Sequence, residues 1–65
     1  MKTIWFNDYA VKSTHYYDKL KDARTVVRML GGSPYTVVRV LDWFGSFVGY
    51  AVVDGNAVTT DAKRG

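Results

Sequence analysis

Cysteine, glutamate and glutamine are absent from this 65-residue chain, and proline and histidine occur once each. Without cysteine there is no disulfide framework and no thiolate metal site, and a reducing, cytoplasmic setting is the expected one. With His15 as the only histidine, a metal site would have to be built from aspartates, and these fall at no recognisable loop-ligand spacing. No metal and no cofactor is therefore expected. Long hydrophobic runs are missing too: the apolar stretches are far shorter than the ~20 residues that span a bilayer. Met1-Lys2-Thr3 leads into Trp5, Phe6, Asn7 and Asp8, which is no signal-peptide core, and no membrane association is expected.

The absence of glutamate says something about the acids that remain. All six are aspartate, whose short side chain reaches nearby backbone donors and so favours turns and helix starts. Asp8, Asp18, Asp42 and Asp54 all fall at such points. Nine basic residues give a net charge of +3, which favours acidic partners only mildly.

What is present reads as one small globular domain over residues 1–65. A composition that is 48% hydrophobic and 15% aromatic is too apolar for disorder, although at this length folding buries only ~60% of the unfolded chain's surface. The expected fold is α+β: a small antiparallel sheet with one amphipathic helix on one face. Thr3–Phe6 and Tyr9–Lys12 read as an N-terminal strand or hairpin about Asn7-Asp8. Tyr16, Leu20, Ala23, Val27 and Leu30 recur at helical spacing, giving a helix from Asp18 to Leu30, with Asp18 as N-cap and Gly31-Gly32 as terminator. Tyr35–Leu41, Phe47–Val53 and Asn56–Thr60 form a C-terminal three-stranded meander with turns at Asp42–Gly45 and Asp54-Gly55. Residues 61–65 form a frayed tail.

Alternation along these strands leaves both sheet faces apolar. Val38 and Val40 are grouped with Val48, Tyr50 and Val52 beneath the helix stripe, while Tyr35, Val37, Leu41 and Phe47 point the other way. One helix covers one face, so the second must be covered by a partner, by a second copy, or by the N-terminal segment carrying Trp5 and Phe6.

Catalytic patterns are weak. Ser13, His15 and Asp18 are the residue types of a hydrolytic triad, but they crowd into one segment, and triads draw their members from separate elements. Gly31-Gly32-Ser33 follows a helix, whereas phosphate-cradling loops precede one. The chain is expected to be non-catalytic.

The most informative feature is Asp42-Trp43-Phe44-Gly45. Its ends suit a type I turn, yet two large rings occupy the tip where polar residues are usual. The expected function is a small protein-binding module, an inhibitor or modulator of a host or cellular enzyme of the kind frequent among viral and mobile-element proteins. It docks through Trp43 and Phe44 together with Tyr35, Val37, Leu41 and Phe47. Two other readings stand beside it. In one, Lys21, Arg24, Arg28 and Arg39 contact nucleic-acid phosphates or an acidic partner while sheet aromatics stack on bases. In the other, the chain is a homo-oligomeric, dimeric or structural subunit.

Overall fold

The computed structural model describes residues 1–8, 11, 15–58 and 61–62. The molecule is a small α+β domain with one helix and a three-stranded mixed sheet. In chain order the elements are β1 (Thr3–Trp5), α1 (Leu20–Met29), β2 (Tyr35–Leu41) and β3 (Phe47–Asp54). The β-branched run of β2 occupies the centre of the sheet, whose order is β1-β2-β3.

The sheet is mixed because β1 lies parallel to β2, with Thr3 opposite Arg39 and Trp5 opposite Leu41. The expected N-terminal hairpin does not form among the described residues. Asp8 N–H does close a turn on Trp5 O (2.8 Å), but Val11 N–H then donates to Asp8 O (3.1 Å). Val11 is buried in the core instead of pairing with β1. The remainder of the expected Tyr9–Lys12 strand lies outside the described residues.

The expected third meander strand is replaced by a turn and a descent into the core. Asp54-Gly55 does turn, with Ala57 N–H donating to Asp54 O (2.9 Å) and Gly55 N–H to Pro34 O (2.9 Å). The chain then delivers Val58 to the core, and Lys2 Nζ donates to Val58 O. The physical reason lies at the outer edge of β3. Tyr17 already occupies it, exchanging two backbone hydrogen bonds with Tyr50 (2.7 and 2.8 Å). Thr59 and Thr60 lie outside the described residues.

The same bridge delays the helix. Tyr17 is held extended against Tyr50, so α1 begins at Leu20 with Lys19 at the N-cap position and no side-chain cap. Asp18 is therefore not the cap. Tyr16 leaves the helical stripe and packs on the sheet, and Leu30 is the exposed C-cap. Gly32 N–H reaches back to Val27 O (2.9 Å), closing the helix as its glycine pair predicts.

Both faces of the sheet are covered by the chain itself, in a grouping different from the expected one. Ile4, Val38, Val40, Ala51 and Val53 form the first face, buried together with Val11 and Val58 and flanked by Phe6 and Tyr16. Val38 and Val40 stand opposite Ala51 and Gly49, not Val48, Tyr50 or Val52. A bulge between Val40 and Leu41 sets Phe47 opposite Leu41 and removes Val48 from the ladder. The helix touches β2 and β3 on the second face, where Ala23 and Val37 are buried outside the first cluster. Phe6, Val11 and Tyr16 thus pack on the first face, Tyr17 pairs at the far edge, and α1 touches β2 and β3 on the second face.

Gly49 makes the Tyr16–Tyr17 crossing possible. A Cβ there would lie 3.1 Å from Tyr17 O and 3.3 Å from Tyr16 Cβ, too close without displacement of the crossing segment. At the chain's other end, Thr3 N–H donates to Asp61 Oδ1 (2.8 Å) and Ala62 N–H to Thr3 O (2.6 Å). These two residues were assigned by sequence to the frayed tail; residues 63–65 lie outside the described ones.

Candidate protein-binding surface at the hairpin tip

The β2–β3 connection is a tight hairpin built around one aspartate. Asp42 N–H donates to Ser46 O (2.9 Å), and Gly45 N–H donates to Asp42 O (3.0 Å). The Asp42 carboxylate accepts from the N–H groups of Phe44 and Ser46, both at 2.9 Å. Gly45 has φ +79°, the left-handed conformation that a three-residue hairpin loop requires after a type I turn. Three residues around the tip are thus bound to one side chain and its carbonyl, and the backbone beneath Trp43 and Phe44 is fixed.

The rings project from this support into solvent: Trp43 is 72% exposed and Phe44 81%. Trp43 is held on one side by Phe6, edge to face at a centroid distance of 5.3 Å. Phe6 is positioned in turn by its N–H bond to Leu41 O (2.7 Å), which extends the β1–β2 pairing by one step. Trp5, Phe6, Asn7, Asp42 and Trp43 line a cleft of about 310 Å³. Phe44 stands beyond it as a free knob.

The other residues singled out by sequence divide between two places. Phe47 lies near the hairpin end, 44% exposed, with the Arg39 guanidinium 5.2 Å above its ring and Tyr50 edge-on at 5.0 Å. Leu41 is buried between Trp5 on one strand and Phe47 on the other. Tyr35 is at the opposite end of β2, 39% exposed, and Val37 is buried near it. Arg24 and Arg28 converge with Tyr35 and Val37 on a groove between α1 and β2, whereas Lys21 lies outside that groove. Arg39, grouped with these residues by sequence, does not line the groove.

Sequence reasoning missed Trp5 and Phe6 as parts of the tip. Their nearness to Trp43 depends on the parallel register of β1 against β2, which no local signal announces. Met1, which lines the groove beside Tyr35, was missed for the same reason.

No polar or charged side chain is buried among the described residues, and no group of three or more His or Asp side chains is placed to hold a metal ion. His15 is exposed and packs edge-on against Tyr17 at 4.8 Å; Ser13 lies outside the described residues. No described helix is long and apolar enough to cross a membrane. Comparison with protein-family models, with curated proteins and with solved structures finds no match.

Proposed function

We propose that this chain is a non-catalytic protein-binding module that docks through the hairpin tip, with Trp43 and Phe44 as anchors and Phe6, Trp5 and Phe47 as their surround. The observation that carries the reading is the exposure of two adjacent large rings, 72% and 81%, on a loop whose backbone is fixed by Asp42. Aromatic side chains at the centre of an interface supply a disproportionate share of binding energy. A pre-ordered loop loses little conformational freedom when it binds, so more of that energy appears as affinity.

A knob of this kind acts by occupying a pocket on its partner, and modulation of a cytoplasmic enzyme by occupancy is the mode of action it suits. The rival nucleic-acid reading needs basic groups and stacking rings on one track. Arg39 is engaged over Phe47 and does not line the groove that Arg24 and Arg28 share, which weighs against one track holding all three.

The test compares the parent chain with the Trp43→Ala/Phe44→Ala double variant as bait in nuclease-treated cell lysate. The reading predicts a discrete protein partner that survives nuclease and is lost with the double variant while the variant's melting curve stays that of the parent. If nuclease removes all bound material, the nucleic-acid reading takes its place. Sedimentation of both baits at micromolar concentration reads out the homodimer branch: self-association abolished by the double variant would make the partner a second copy.

A further inference from the structure

The geometry points to a second binding site, at the opposite end of the sheet from the hairpin tip: the groove between α1 and the start of β2 takes an acidic peptide segment, one apolar side chain flanked by carboxylates. The groove has a volume of about 420 Å³. Its lining is apolar at Met1, Val27 and Val37, aromatic at Tyr35 and cationic at Arg24 and Arg28. The arginines sit four apart on α1, so both guanidinium groups lie on one helix face and reach the same space.

Charge decides the class of occupant. No carboxylate lines this groove, and among the described residues neither arginine takes part in an ion pair; Arg28 makes only a long 3.5 Å contact to Thr25 Oγ1. Two uncompensated guanidinium forks present the geometry that matches carboxylate or phosphate oxygens. The apolar part of the lining asks for an apolar group on the same ligand.

The number of rings then separates a peptide from a nucleic acid. The neighbouring hollows carry charge of both signs, Lys2 with Asp61 on one side and Lys21 with Asp22 on the other. Tyr35 is the only ring in the lining, so no second platform receives a following base. A short segment with one or two negative groups and one apolar side chain needs no such platform. The site is independent of the tip reading: β2 is seven residues long, which at ~3.3 Å per residue sets its two ends ~20 Å apart.

The experiment is a titration of the isotope-labelled full chain, followed by backbone amide resonances, with three probes. These are a short capped peptide carrying leucine between two glutamates, its twin with both glutamates replaced by glutamine, and a short oligothymidylate. The expected result is a cluster of shifts at 24–28 and 35–37. The acidic peptide should bind at least about threefold more tightly than its twin at low salt, and Arg24→Gln or Arg28→Gln should remove that difference. Trp43→Ala should leave the titration unchanged, so a failure at the tip and a failure at the groove read out separately. Equal affinity for the two peptides, shifts located elsewhere, or no shifts at all would overturn the proposal. Tighter binding of oligothymidylate at the same amides would overturn it in favour of nucleic acid.

Discussion

The two ends of β2 present opposite kinds of surface on one scaffold. At the Leu41 end, Trp43 and Phe44 stand out from a loop organised by Asp42, and the nearest cation, Arg39, is already engaged over Phe47. At the Tyr35 end a concave groove carries two arginines without acidic partners. The first end projects two apolar rings from a hydrogen-bonded loop; the second is a groove lined by two arginines, Tyr35 and the apolar side chains of Met1, Val27 and Val37. Convex aromatic surface draws its energy from desolvation, which salt barely changes, while exposed guanidinium groups act through charge and are screened within about 8–10 Å at ordinary ionic strength. A domain with a thin core can therefore offer two contacts that respond to different conditions, provided that the middle of the sheet holds both ends in place.

The largest expected effect breaks that proviso. Ile4 and Val40 are buried to within 1% and join β1 to β2 at the centre of the first face. Ile4→Ala should cost ~2–5 kcal/mol, enough to unfold a marginal domain, and thermal melting would register it. Survival of either binding activity in a chain that has lost its melting transition would mean that the two ends are not one cooperative unit.

Next comes the tip itself. Trp43→Ala should weaken partner binding by ~2 kcal/mol or more. The fold should lose far less, because Trp43 is 72% exposed and gives up an edge contact with Phe6. Calorimetry alongside binding separates the two quantities, and a drop in melting temperature comparable to that of Ile4→Ala would make Trp43 a packing residue. Asp42→Ala should cost ~1 kcal/mol of stability by leaving the Phe44 and Ser46 N–H groups to water. It should also reduce tip binding by loosening the backbone beneath both rings. Unchanged binding with reduced stability would show that pre-ordering of the loop does not contribute.

The smallest effects sharpen the contrast at the groove. Arg24→Gln and Arg28→Gln should shift stability by no more than ~0.5 kcal/mol, since both side chains are exposed and the one described side-chain bond between them is the long Arg28 contact to Thr25 Oγ1. Raising salt from low to physiological levels should weaken acidic-peptide binding at this end and leave tip binding nearly constant. A matching salt response at both ends would erase the distinction.

Local chemistry was readable in advance and long-range pairing was not. Asp42 and Gly45 announce their turn because the turn's own dihedrals and donors require those residue types, and Gly31-Gly32 ends α1 for a similar reason. The α+β class follows from one helical stripe beside β-branched runs. The direction of β1 depends on where Trp5 meets Leu41, across more than half the chain. The start of α1 depends on Tyr17 being claimed by Tyr50. A single bulge beside Leu41 moves Phe47 to the Tyr50 side, and the register that sets Val38 opposite Ala51 groups Ala51 and Val53, not Val48, Tyr50 and Val52, with Val38 and Val40. For the candidate sites, Trp43 and Phe44 were visible as an anomaly in a turn. That Arg24 and Arg28 share a groove with Tyr35 and Val37, and that Arg39 does not line it, was invisible, because it depends on how α1 lies against β2.

The path of the chain around the sheet also has a bearing on synthesis. Thr3 is opposite Arg39, and its amide and carbonyl are met by Asp61 and Ala62. During translation the first strand therefore has no sheet partner until the central strand has been made, and the partners of Thr3 at Asp61 and Ala62 come later still. The apolar side chains of Ile4, Phe6 and Val11 remain available to chaperones or to neighbouring nascent chains for most of that interval. Such a chain gains its structure late and nearly all at once, since its decisive contacts join residues far apart in sequence.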